Sequence, residues 1–184
     1  MSNVWFSADT HFNHFKIIEY TNRPFKTVEE MNETIIANWN SRVKPEDTVI
    51  LNGDFCFKND GTIKAIDWEK RLNGKIVFIK GNHDNNNSCS AIIENMVIKY
   101  GGKQLFIVHD PANCNLNYDI NLTAHVHEKW KVKEAKSFPK KSILINIGVD
   151  VWNFMPVTIN QILAEYSKFV KEEKKDGCEF IKEA

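Results

Sequence analysis

Asp9-Thr10-His11, Gly53-Asp54, Gly81-Asn82-His83-Asp84, His109 and His125-Val126-His127 stand in that order along the chain. Together they offer carboxylate oxygens, imidazole nitrogens and a carboxamide oxygen, the donors that hard and borderline divalent cations accept. Five of the six histidines fall inside these strings, and the sixth, His14, comes three residues after His11. Histidines scattered over a surface would not group this way. The donors suffice for two ions, and two close divalent ions are the usual apparatus for hydrolysing a phosphate ester. A single Asp-x-His means little in a chain of this size. The weight lies in all five strings occurring together.

Such a set works only if the fold brings its members to one place. Apolar runs at Val4–Ala8, Thr48–Leu51, Lys75–Ile79, Met96–Tyr100, Leu105–Val108 and Ile143–Ile147 read as buried strands. Thr27 with Glu30 forms a capping box, and Met31, Ile35 and Trp39, widened by Ile36 and Val43, make a helical stripe. A second helix is predicted near Ile63–Leu72, stopped at Asn73-Gly74, and a last one from about Thr158 to Lys174. Gly101-Gly102 marks a hairpin. Helices and strands alternate, which implies a layered α/β fold. Asp9, Asp54, Asn82 and His109 each follow a predicted strand, and ligands of open α/β sheets collect beyond the carboxyl ends of strands.

The bulk properties suit one soluble domain. The chain has 184 residues, 42 % hydrophobic and 26 % charged, with a formal net charge of zero. A dedicated nucleic-acid binder usually carries a basic excess, so stable nucleic-acid binding is not expected. The first residues lack a basic segment leading into a long apolar stretch, and no apolar run approaches membrane-spanning length. Cys56, Cys89, Cys114 and Cys178 form no Cys-x-x-Cys pair and read as free thiols of a reducing, cytoplasmic setting, with Cys56 packed in the core. A single domain over residues 1–175 and a polar tail at 176–184 are expected.

The ordered strings resemble the calcineurin-like metallophosphoesterase superfamily. Asn22-Arg23-Pro24-Phe25, Glu30-Met31-Asn32-Glu33 and Asn146-Ile147-Gly148-Val149-Asp150-Val151-Trp152 look like its small bacterial and phage members. One departure stands out: the superfamily usually has glycine before His-x-His, and this chain has Ala124. The resemblance implies an αββα sandwich of two mixed β-sheets flanked by helices, with the metal site at the carboxyl ends of strands. It implies one divalent ion on Asp9, His11, Asp54 and His127, and a second on Asp54, Asn82, His109 and His125. Asp54 would bridge them, easing the repulsion of cations roughly 3.5–4 Å apart. A water shared by the two ions would lose its proton and become the nucleophile. His125 and His127, two apart, would face the same way on an extended segment. His83 would not be a ligand but would protonate or stabilise the leaving oxygen, and Asp84 would fix its ring. Mn²⁺ is the expected ion, with Fe²⁺, Zn²⁺ or Ni²⁺ acceptable to the same donors.

Two further residues stay open from the sequence. His14 contacts the substrate or caps the following helix. Arg23 grips a phosphate with its bidentate fork or pairs with an acidic helix face. Lys129–Lys141 carries six lysines against one glutamate, and reads as a solvated hairpin or as a basic rim. The expected activity is hydrolysis of a small, nucleotide-like phosphodiester. Pyrophosphate or phosphomonoester hydrolysis is the near alternative, and a non-catalytic binding scaffold of the same fold is the distant one.

Overall fold

The computed structural model describes residues 2–58, 63–84, 89, 91–137 and 139–179, with side chains up to residue 173. Alternation along single strands explains its layers. In β2 (Thr48–Asn52), Val49 and Leu51 point one way and Ile50 the other. Val49 and Leu51 meet Met31, Ile35 and Trp39 of α2 (Val28–Arg42), together with Phe12, Phe55 and Trp68. Ile50 instead joins Phe6 and Ile79 in a second core against Leu105, Ile107, Ile120, Leu122, Ile143 and Ile145. The first core lies between helix and sheet, and the second between two sheets.

The first sheet has β1 (Val4–Ser7), β2 and β3 (Lys75–Ile79) in parallel, closed by antiparallel β9 (Val157–Thr158) beside β1. The second contains β4 (Asn95–Tyr100), β5 (Lys103–Val108), β6 (Ile120–Thr123), β7 (Val132–Ser137) and β8 (Lys140–Asn146). Its spatial order is β4-β5-β6-β8-β7, with the middle three parallel and the edges antiparallel. Both sheets are mixed and helices flank them, as the α/β reading requires. The remaining helices are α1 (Phe15–Tyr20), α3 (Ala65–Glu69) and α4 (Ile159–Glu179). The end of the expected polar tail, residues 180–184, lies outside the described residues. No described helix is long and apolar enough to cross a membrane.

Local chemistry accounts for the boundaries. Thr27 caps α2 by accepting the Glu30 N–H at 3.1 Å. The Glu30 carboxylate accepts from the N–H of Lys26, one residue earlier than a reciprocal capping box would have it. Gly101 and Gly102 both take positive φ (56° and 76°), the requirement of a tight two-residue hairpin turn. The Lys129–Lys141 segment is largely the β7–β8 hairpin, and Glu134 pairs with both Lys136 and Lys141. Such charges are what an edge strand needs to resist pairing with another chain.

Candidate metal centre

The strand ends of both sheets converge on one set of polar side chains. Asp9 follows β1, Asp54 follows β2, Asn82 follows β3, His109 follows β5 and His125 follows β6. The turns are abrupt. Asp9, His11, Asp54, His125 and His127 all have left-handed backbones, with φ between 48° and 68°. Each such non-glycine residue costs roughly 1–3 kcal/mol, and strain of this kind persists where surrounding structure holds it for a purpose. The extended His125–His127 segment expected from the sequence is therefore corrected: both histidines are left-handed, and His127 opens a short 3₁₀ turn. Ala124 is not among the positive-φ residues. The unusual conformation sits one residue later, so an alanine before His-x-His fits, fully buried in the inter-sheet core.

Two groups of donors emerge. In one, a ligand atom each from Asp9, His11 and His127 lie within 4.8 Å of one another; Asp54, His109 and His125 form the other in the same way. Asp54 joins them, because its Oδ2 is 3.5 Å from His11 Nε2 and 3.4 Å from His109 Nε2. The Asn82 Oδ1 completes the second group, 3.1 Å from His109 Nε2 and 2.9 Å from His125 Nδ1. Asp9 Oδ1 and both ring nitrogens of His11 are buried with no hydrogen-bond partner among the described residues. Buried polar atoms are rarely left so, since each costs about 1–3 kcal/mol. Converging lone pairs with unmet demand fit divalent cations.

Tight packing keeps those lone pairs aimed inward. His109 Nδ1 lies 2.7 Å from the backbone oxygen of Asn52, so Nδ1 donates there and Nε2 faces the cluster. Asn52 also donates through its amide to the Val108 carbonyl, stitching the two sheets together beneath the site. Asp9 Oδ2 accepts the His125 N–H at 2.9 Å, leaving Oδ1 for a cation. A Cβ on Gly81 would strike Asp54 Oδ1, and one on Gly148 would come within 2.6 Å of Asp9 Oδ2. The backbone must approach these carboxylates too closely for a side chain.

Arg23 is corrected by the structure. Its fork does grip a carboxylate bidentately, but that carboxylate is Asp150, at 2.8 and 3.0 Å. The guanidinium is wholly buried and also donates to the backbone oxygens of Asp9 and Thr10. It cannot reach a phosphate. Asp150 in turn accepts from His127 Nδ1 at 3.0 Å, which leaves Nε2 of that ring for the first cluster. Burial opposes the charge on Asp150, but the His127 hydrogen bond and Arg23 outweigh it and hold its carboxyl below the usual range. Asp150 and Asn52 were given no role by sequence reasoning. The signal available was a polar residue beside each ligand string; the pairing of positions 23, 127 and 150 was not visible. Asp150→Ala should strand the Arg23 charge and free the His127 ring. We expect about 3–5 kcal/mol lost in chemical denaturation of the metal-free protein, and a 10–100-fold weaker first metal site. Unchanged stability and metal titration would remove this role.

Asp84 is buried, and its carboxylate accepts the N–H groups of Asp54, Phe55 and Gly81 at 3.1, 3.0 and 2.7 Å. This ties the loops after β2 and β3 together, a structural duty the sequence did not indicate. His83 is exposed; its N–H donates to Asp54 Oδ1, and its ring lies 5.7 Å from that of His11 and 6.5 Å from that of His14. His14 stands at the N-cap of α1 but makes no side-chain capping bond there. Its ring packs 4.2 Å from Phe57 and 5.5 Å from His11, and burial, then the neighbouring His83, brings its pKa down to about 4. It is thus a neutral histidine on the rim of the first cluster.

His109 has its pKa pushed up to about 9. Burial works against the proton, but the Asp54 hydrogen bond and the charge of Asp9 outweigh it. A histidine raised from 6.5 contributes stability fully present below that pH and lost as pH rises through about 9. The melting temperature of the chelated protein should therefore fall between about pH 7 and 10, while the gain from added Mn²⁺ grows, since a ligand must shed its proton. A flat profile for the chelated protein would contradict the His109–Asp54 pairing.

The family model for calcineurin-like phosphoesterases matches residues 2–176. The chain belongs to that family. It is 38 % identical over 174 residues to an uncharacterized protein of Methanocaldococcus jannaschii, covering 93 % of this chain and 96 % of that one. It is also 38 % identical over 85 residues to the gene 66 protein of Mycobacterium phage L5, covering 46 % of this chain and 41 % of the phage protein. A protein of unknown function from Aquifex aeolicus has a crystal structure with the same fold, at a TM-score of 0.67 and 23 % identity, covering 88 % of this chain and 98 % of that one. Membership and two candidate metal clusters together imply divalent metal ions for this calcineurin-like chain.

Proposed function

We propose that this chain is a metal-dependent phosphoesterase that hydrolyses a nucleotide-like phosphodiester at a two-metal site. The observation that carries the reading is Asp54 Oδ2 standing between His11 Nε2 and His109 Nε2, one carboxylate oxygen shared by two donor clusters. Asp9, His11, Asp54 and His127 would hold one ion, and Asp54, Asn82, His109 and His125 the other. Such ions, when bound, polarise phosphate oxygens and lower the pKa of a water. The chain itself does the rest. Asp54 offsets the charge of both ions, Asn82 presents a neutral oxygen beside the phosphate, and His83 supplies a proton to the departing oxygen. His14 lines the same rim and contacts substrate. The scaffold alternative is weakened because no ligand position is lost, and a scaffold has no use for five strained ligand backbones.

Metal-stripped protein should be inactive on a panel of diesters, and regain activity with Mn²⁺ more than with Mg²⁺. Four imidazoles suit the softer ion, whereas Mg²⁺ prefers oxygen and keeps its waters. Full activity with Mg²⁺ alone would contradict the ligand assignment. No turnover with any ion would favour the scaffold.

A further inference from the structure

A cleft of about 480 Å³ opens from Asn82 and His109, away from the first cluster. Its apolar floor is Phe106 and Val108, and Phe106 is braced by stacking on Tyr118 at 5.4 Å. Its rim carries Lys80, Glu94, Asn95, Asp110 and Asn113. We propose that this cleft holds the arm of the diester that stays on the phosphate after hydrolysis, and that this arm is a nucleoside without further phosphate. The inference rests on the phosphodiesterase reading above.

Three observations carry it. The first is sidedness. His83, the proton donor to the leaving oxygen, stands against His11 and His14, whereas the cleft is walled by Asn82 and His109 of the second cluster. The leaving arm therefore occupies the His83 side, and the retained arm has the cleft. The second is charge. Among the described residues of the rim, Lys80 is matched by Glu94, at 3.8 Å, and Asp110 leaves one negative charge over. A second phosphate would be repelled there, which disfavours pyrophosphates and polynucleotides. The third is shape and polarity. The volume lies in the range of small-molecule sites and exceeds what a glycerol or methyl arm would fill. An apolar floor under carboxamides and carboxylates matches a base with one flat face and a donor–acceptor edge. Asp110 Oδ1 is occupied by the Ala112 N–H, and the exposed carboxamides of Asn95 and Asn113 line the rim where they can read that edge.

The test uses thymidine 5′-(4-nitrophenyl phosphate). Water adds to phosphorus, the bond to nitrophenolate breaks, and thymidine 5′-monophosphate remains. With the Mn²⁺-loaded protein, KM should be about tenfold or more below that for 4-nitrophenyl methyl phosphate, which leaves the cleft empty. A 3′-phosphate added to the thymidine compound should raise KM. The variant Asn95→Ala/Asn113→Ala, at two exposed positions, should raise KM for the thymidine compound about 5–20-fold, the worth of one or two hydrogen bonds, with kcat little changed. The methyl compound should not notice it. Equal KM for both diesters, or an indifferent variant, overturns the cleft assignment while leaving the phosphodiesterase reading intact. If no diester turns over, that reading fails instead. Calorimetric binding of thymidine 5′-monophosphate then decides the cleft: binding weakened in the variant supports it, and no binding overturns it.

Discussion

Asp54→Asn should lose about 10³-fold or more in kcat, the upper end of what one electrostatic group is worth, and more than any other ligand substitution. The change is nearly isosteric, so packing around it should survive. Its chemistry is reversed where it matters. Asp54 Oδ2 faces the Nε2 atoms of both His11 and His109. Its Oδ1 accepts the His83 N–H, so the oxygen of an asparagine amide would stay there and its NH₂ would take the Oδ2 position. That NH₂ would donate to the very lone pairs that must face the cations. Both sites weaken together, because one group serves two clusters. His11→Ala or His125→Ala removes a donor from only one. The measurement is metal content per chain by elemental analysis, beside kcat with saturating Mn²⁺. Asp54→Asn should retain well under two ions. A variant holding two ions and turning over normally would refute the shared role.

What the sequence discloses and what it hides follow from range. Strands whose two faces are both buried read as continuous apolar runs, so β1, β2, β3 and β5 were legible to within a residue or two. β6 was missed because its centre carries Asn121, a polar residue that breaks the apolar run and is satisfied by nearby Asn115 and by Ser142 of β8. β7 was missed as a strand because an edge is charged for its own protection, and Val-Lys-Glu-Ala-Lys-Ser has no apolar alternation. Without β6, the position of His125 at a strand end could not be read, and an extended His-x-His was the natural expectation. The strained turns there are set by contacts from Asp9 and Asn146, which arrive from elsewhere in the chain. Arg23 illustrates the same limit. A bidentate fork in a candidate site is drawn to any planar anion, and its partner lies 127 residues away.

His83→Ala separates proton donation from metal binding. The ring is exposed, stands beside the first cluster rather than in it, and belongs to neither group of converging donors. Its backbone N–H donates to Asp54 Oδ1, and alanine preserves that bond. Metal content should therefore hold while kcat falls about 10²–10⁴-fold, the usual worth of a positioned acid. The size of the fall should depend on the leaving group. An alkoxide must be protonated as it departs, so a dialkyl diester should suffer most. Nitrophenolate departs without a proton, so its ester should be hurt far less. His109→Ala provides the contrast: it removes a ring held between Asn52, Asp54 and Asn82, and should cost metal and damage both substrates alike. Equal losses for both leaving groups in His83→Ala would exclude proton donation and leave His83 a stabiliser of phosphate charge. Loss of metal from that variant would make His83 a ligand, against the geometry of both clusters.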